Sequence, residues 1–211
     1  MTGWATVVVI AKRPVPGRVK TRLTPPFTPH EAADLAAASL RDVLDAAAAV
    51  PADRRVLLFD GDPDGWVPDG WGVVPQVAGG LDVRLAAGLC AVAAAGPAVL
   101  VGMDTPQFTA EQLPPLADGV DACLGLAADG GFWALGLRDP AVAADVLPGV
   151  AMSTDRTGAD QHARLLAAGL AVDLLEELVD VDDVGTAAAV AAAAPGSRFA
   201  ARFAALTAVA P

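Results

Sequence analysis

The amino-acid sequence predicts an α/β fold with a mainly parallel central sheet. Three features carry that prediction: apolar runs of strand length, helix cap and stop signals between them, and a steady alternation of the two along 211 residues. Strand, helix, strand in this order implies right-handed crossovers between parallel neighbours. The length suits one sizeable core. Neither a linker-like segment nor an internal repeat divides the chain, so residues 1–211 are expected to form one domain.

Trp4–Ile10 is a β-branched run that reads as a fully buried strand. A loop rich in Pro, Gly and basic residues follows, and then a helix with a well-marked start. Thr28 is the N-cap, Pro29 takes the first helical position and Glu31 lies three residues after the cap, which makes a capping box. Val56–Phe59 is a second short strand. The stretch from Gly61 to Gly80, rich in Gly, Pro, Asp and Trp, reads as an irregular connection. A helix spans about Asp82–Ala95 and is stopped by Gly96 and Pro97. Ala98–Val101 is a third buried strand, and Thr109 with Gln112 opens a further helix by the same capping logic. Asp121–Ala127 and Phe132–Leu137 are strands on either side of Ala128-Asp129-Gly130-Gly131. The remainder reads as helical, apart from a strand at Ala171–Leu174 and an acidic turn at Asp180–Asp183.

Composition narrows the partners. The 54% hydrophobic content supports a core, although Ala-rich tracts supply much of it. A formal charge of −11 opposes any general attraction to nucleic acid or to anionic lipid. Yet Lys12, Arg13, Arg18, Lys20 and Arg22, which include both lysines of the chain, crowd into one short segment. A locally positive loop on an acidic protein suits a small anionic ligand better than a polymer. No run reaches the ~18 apolar residues that span a bilayer, and the apolar start leads into a basic turn rather than a cleavage site. Cys90 and Cys123 lack CxxC spacing and read as buried free thiols, which fits a reducing compartment. The expected setting is therefore cytoplasmic, with no nucleic-acid or membrane partner. An Ala-rich C-terminal helix could pack on a second copy, which leaves a homodimer open.

The segment Ala11–Leu23, AKRPVPGRVKTRL, begins where the first strand ends, and open α/β sheets bind their ligands there. Gly17 lets the backbone approach a ligand, while Lys12, Lys20 and Arg22 can meet phosphate oxygens, Arg two at once. The segment is neither GxxxxGK[ST] nor GxGxxG, and a solvated basic turn is the alternative. Asp104 directly follows the strand Ala98–Val101, where a carboxylate suits a hard cation such as Mg²⁺ bridging to substrate phosphates. Its alternative is a turn-forming Asp ahead of Pro106. Asp180 and Asp182 point the same way in an extended stretch and could complete a metal site with Asp104, unless they only begin a helix. Residues 128–133 form either a plain hairpin turn or a glycine backbone lying against substrate. In the second case Asp129 bonds a hydroxyl and Phe132 or Trp133 forms a wall. The segment Gly79–Arg84 opens a helix where glycine and Arg84 could meet a phosphate or sugar. His30 and His162 lie on predicted helices without a Ser or Cys nucleophile motif, so hydrolytic triads are set aside.

In this order the segments AKRPVPGRVKTRL, GGLDVR, GMDTPQF, ADGGFW and DVDDVGT resemble a known group. They are similar to the bacterial predicted glycosyltransferases of the arsenosugar-biosynthesis type, within the glycosyltransferase-A-like nucleotide-diphospho-sugar transferases. The resemblance spans roughly residues 4–190 and extends more loosely to the guanylyltransferases of phospholactate and of molybdenum cofactor. It implies a three-layer α/β/α sandwich. It also implies nucleotide binding by Ala11, Lys12, Gly17, Lys20, Thr21, Arg22, Gly80, Asp82 and Arg84, with Lys20 and Asp104 catalytic. Asp129, Gly130 and Gly131 would border the substrate. Mg²⁺ or Mn²⁺ would sit on Asp104 with Asp180 or Asp182. Met103 stands where the group usually has Ser, Gln107-Phe108 replaces an acidic-Leu pair, and Asp183-Val184-Gly185 replaces Thr-Pro-Glu.

Three functions follow from these readings. The first is glycosyl transfer from a nucleoside-diphosphate sugar to a small acceptor. The second is nucleotidyl transfer, joining an NTP to a phosphorylated small molecule with release of pyrophosphate. The third is a nucleotide-binding module that keeps the fold without turnover.

Overall fold

The computed structural model describes residues 3–208. β1 (Trp4–Lys12) lies inside the sheet, because its apolar run leaves almost nothing to solvent on either face. Around it are β2 (Ala52–Asp60), β3 (Gly72–Pro75), β4 (Ala98–Gly102), β5 (Ala122–Ala127), β6 (Phe132–Leu137) and β7 (Val172–Leu178). The seven strands run in the order β3-β2-β1-β4-β6-β5-β7. β1 pairs parallel with β2 and β4, β2 with β3, and β5 with β7. β6 is antiparallel to both β4 and β5. The short connection between β5 and β6 can only join antiparallel neighbours, whereas parallel pairs need a longer crossover.

Among the described residues six α-helices complete the fold: α1 (Pro29–Ala49), α2 (Leu81–Val92), α3 (Ala143–Val146), α4 (Thr157–Ala167), α5 (Val184–Ala193) and α6 (Arg198–Thr207). α1 packs Ala36, Leu40 and Val43 against the sheet face carrying Val7, Val9, Leu57 and Val101. α2, α3 and α4 cover the opposite face, where Leu89, Val146 and Leu165 join Val8, Leu58, Leu100 and Leu135. The result is the three-layer α/β/α sandwich the sequence predicts. Each aliphatic side chain fully buried in these layers contributes roughly 1.5–3 kcal/mol. A third cluster of Leu23, Phe27, Leu35, Val190 and Phe199 places α5 and α6 on the outer side of α1. The C-terminal helix thus buries its apolar face within its own chain.

The start of α1 follows its sequence signals. The Glu31 backbone N–H donates to Thr28 Oγ1 at 3.3 Å, and Glu31 Oε2 accepts from the Thr28 backbone N–H at 2.7 Å. Elsewhere the structure corrects the sequence. The connection expected from Gly61 to Gly80 contains an edge strand, β3, whose two valines lie between Gly72 and Pro75 and are too short to stand out. The Thr109–Gln112 capping box forms, yet it opens only one 3₁₀ turn, Ala110–Gln112. Pro114 and Pro115 follow at once and cannot donate the amides that an α-helix would need. β7 runs on to Leu178 instead of ending at Leu174. As an edge strand it tolerates Glu176 and Glu177, whose charges mask its extended character in the sequence. Both cysteines are free; Cys123 is buried and Cys90 half-buried. Among the described residues no helix is long and apolar enough to cross a membrane.

Candidate functional site

A pocket of about 440 Å³ opens at the carboxyl ends of β1 and β4. Ala11 and Lys12 enter it from the end of β1, and Gly102 to Thr105 from the end of β4. Asp129 and Gly131 come from the β5–β6 turn, Phe132 and Trp133 from the start of β6, and Asp180 from the segment after β7. Backbone contacts explain how chain-distant carboxylates meet. The Val181 amide donates to the Asp104 carbonyl at 2.8 Å, and the Ala128 amide donates to the Leu178 carbonyl at 2.9 Å. The Gln107 side-chain amide also donates to the Val179 carbonyl, so the loop after β4 is clipped to the loop after β7.

The basic loop does not lie loose in solvent. Lys20 adopts a left-handed backbone (φ 47°), which turns its side chain inward until only 11% of it is exposed. Its Nζ meets Asp104 Oδ1 at 2.6 Å and donates to the Val181 carbonyl. Arg22 pairs with Asp182 at 2.5 Å on the outer rim. In the protein alone, Lys20 and Arg22 therefore neutralise two of the carboxylates expected to hold a metal. Thr21 and Arg22 sit in a 3₁₀ turn anchored by buried Leu23. Gly17 needs its freedom for φ 75° in an open turn, and among the described residues a Cβ there would meet nothing within 4 Å.

Asp180 is the most perturbed group of the pocket. Burial, then the nearby Asp129 carboxylate, and further the Asp104 carboxylate push its pKa up to about 6, against the lowering effect of Lys20. Three carboxylates thus share one pocket, and one buried ammonium offsets them only in part. Among the described residues, no three acidic, His or Cys side chains close on a single point to cage an ion unaided. A Mg²⁺-type ion needs no such cage, since it takes one or two carboxylates and completes its shell with phosphates and water. Asp104 and Asp180 fit that requirement. Asp182, held by Arg22, does not line the pocket.

The remaining expected residues divide. Arg84 lines the pocket, whereas Gly80 is the extended N-cap of α2. Asp82 accepts from the Gly149 amide at 2.9 Å, which lowers its pKa and ties α2 to the chain after α3. Asp129 Oδ1 accepts from the Gly131 amide at 2.7 Å and shapes the hairpin turn. Gly130 (φ 90°) does not line the pocket, and a Cβ there would come within 2.1 Å of the Asp155 carbonyl oxygen. Its own carbonyl accepts from the Gly158 amide at 2.7 Å. Sequence reasoning missed Gln76, Met152, Ser153 and Thr157, all of which line the pocket. The segment 151–157 is mostly irregular, and docking of the chain around it against the β5–β6 turn at Gly130 helps bring it there.

Residues 34–154 match the profile of a family described as an uncharacterized protein conserved in bacteria (DUF2064), and this span is more than half of the chain. The chain belongs to this family. The part matched to DUF2064 holds Gln76, Arg84, Asp104 and Asp129, while the basic loop and Asp180 lie outside it. No curated protein matches the DUF2064 chain. Among solved structures, it is similar to a proposed nucleotide-diphospho-sugar transferase from Desulfovibrio desulfuricans G20. The two are 25% identical over 96% of this chain and 93% of that one, with a TM-score of 0.82. It is also similar to Rv0371c from Mycobacterium tuberculosis H37Rv in complex with manganese, at 21% identity over 90% and 98% of the two chains and a TM-score of 0.51. A third similarity is to a CMP:2-keto-3-deoxy-manno-octonic acid synthetase complexed with CTP, at 12% identity over 89% and 96% and a TM-score of 0.58. The chain therefore has the nucleotide-diphospho-sugar transferase type of fold expected from its sequence.

Proposed function

We propose that this DUF2064 protein is a metal-dependent transferase that takes a nucleoside-diphosphate sugar and passes the sugar to a small acceptor hydroxyl. The observation that carries the reading is the meeting of Lys20, Asp104, Asp129 and Asp180 at the carboxyl ends of β1 and β4. Similarity to the Desulfovibrio desulfuricans protein across nearly the full length supports the donor class. The manganese complex of Rv0371c supports a divalent ion.

Each residue then has a defined task. Asp104 and Asp180 would hold Mg²⁺ or Mn²⁺, which would offset the charge of the donor diphosphate. Lys12 and Arg84 bind the donor from the walls of the pocket. Lys20 leaves Asp104 for a phosphate oxygen when the donor arrives, and Arg22 can follow from the rim. Asp129 keeps Oδ1 on the turn and offers Oδ2 to an acceptor hydroxyl. That hydroxyl attacks the anomeric carbon and gives its proton to Asp129 Oδ2, while the bond from that carbon to the diphosphate oxygen breaks and the nucleoside diphosphate leaves.

Product analysis tests the reading. The protein would be incubated with Mn²⁺ and a panel of nucleotide sugars and NTPs, and the released phosphate species identified. Release of a nucleoside diphosphate from a nucleotide sugar is the expected result. Release of pyrophosphate from an NTP would replace glycosyl with nucleotidyl transfer. Binding without release of either would leave a nucleotide-binding module.

A further inference from the structure

We propose that Gln76 is a positioning residue that sets the Arg84 guanidinium against the donor, an inference that rests on the transferase reading above. Gln76 follows the edge strand β3, and its backbone amide continues the ladder by donating to the Phe59 carbonyl at 3.0 Å. Its side chain crosses the carboxyl ends of two strands. Nε2 donates to the Ala11 carbonyl of β1 at 2.8 Å and to the Leu58 carbonyl of β2 at 3.2 Å. A primary amide has two N–H donors, so both are used and the amide cannot flip. Oε1 is thereby fixed on the other side, where it accepts from Arg84 Nη1 at 3.0 Å.

Arg84 depends on that contact. Asp60 is its nearest carboxylate, at the 4.0 Å limit of an ion pair, and Arg84 Nε is buried without a partner. The guanidinium lines the pocket wall together with Gln76, on the α2 side. Fixed by one edge, a planar guanidinium presents its remaining donors in a set direction, which suits paired acceptor oxygens on an anionic ligand. Gln76 itself carries no charge and its amide is spent on protein partners. It therefore acts on the donor through Arg84.

The test combines a ligand-free spectrum with donor binding. In ¹⁵N-labelled protein the Arg84 Nη1–H resonance is identified by its loss in Arg84→Lys. In Gln76→Leu that resonance should move to the position of a free guanidinium and exchange with water at least about tenfold faster. With Mn²⁺ and the nucleotide sugar that gives the largest thermal shift, Gln76→Leu should raise KM about tenfold and leave kcat nearly unchanged. Gln76→Leu added to Arg84→Lys should weaken binding no further, because both act through one contact. An unchanged Arg84 resonance in Gln76→Leu overturns the proposal, as do losses that add in the double variant. Wild-type protein that binds no nucleotide would instead overturn the transferase reading, while the resonance still decides whether Gln76 holds Arg84.

Discussion

Lys20 and Asp104 meet at 2.6 Å, and this contact decides how the pocket behaves before and after ligand arrives. The ammonium covers Asp104 Oδ1, one of the two carboxylate oxygens that the proposed divalent ion would use. Lys20→Met should therefore tighten Mn²⁺ binding severalfold in the absence of nucleotide and weaken diphosphate binding in its presence, both measurable by calorimetry. Asp180 gives the pH dependence. Its folded pKa of about 6 lies above the ordinary carboxylate value, so the folded state holds the proton more tightly than the unfolded state. Its contribution to stability is complete below about pH 4, the unfolded value, and is lost as pH rises through about 6. Metal-free Asp180→Asn should accordingly melt higher than wild type at pH 7.5 and at the same temperature near pH 4. A variant that melts lower at pH 7.5 would show that Asp180 is not held under charge crowding.

Two contacts that help tie an element to the rest of the fold each give a stability prediction. Asp42 of α1 is nine-tenths buried and caps α6: it accepts from the backbone amides of Arg198 at 3.1 Å and Phe199 at 2.8 Å, and from the Arg198 guanidinium. Asp42→Ala should cost about 1–3 kcal/mol in chemical denaturation, since it leaves helix amides without a partner. Gly130→Ala meets both a positive φ and the Asp155 carbonyl, so it should destabilise by about 2 kcal/mol or more and displace the 151–157 segment from the pocket. Contacts of this kind mark the border of what sequence can reveal. β1 and the start of α1 were legible because a buried β-branched run and a capping box act locally. β3, the single turn after Thr109 and the length of β7 were not, because a neighbouring strand, a Pro-Pro pair and a sheet edge decide them. In the site, Lys12, Arg84, Asp104, Asp129 and Asp180 could be named from strand ends and motifs. The Lys20–Asp104 and Arg22–Asp182 pairs could not, since nothing in the sequence says that the basic loop folds onto the acidic turn more than 150 residues later.

Across the whole molecule, the sheet brings four distant segments to one end and leaves a small positive loop on a chain of net charge −11. An acidic surface repels polyanions, while the pocket offers Lys12 and Arg84, with Lys20 behind Asp104, to a compact one. The fold puts that pocket where open α/β sheets bind nucleotides, and the carboxylates that line it are the ones the proposed metal-bridged diphosphate would use. The most direct test is calorimetric titration of nucleotide sugars into wild type and Asp104→Asn, each with and without Mn²⁺. The account predicts that one nucleotide sugar binds wild type only with Mn²⁺ and that Asp104→Asn, still folded by its melting curve, loses that binding at least about tenfold. Equal binding by the two proteins, or binding indifferent to Mn²⁺, would contradict it.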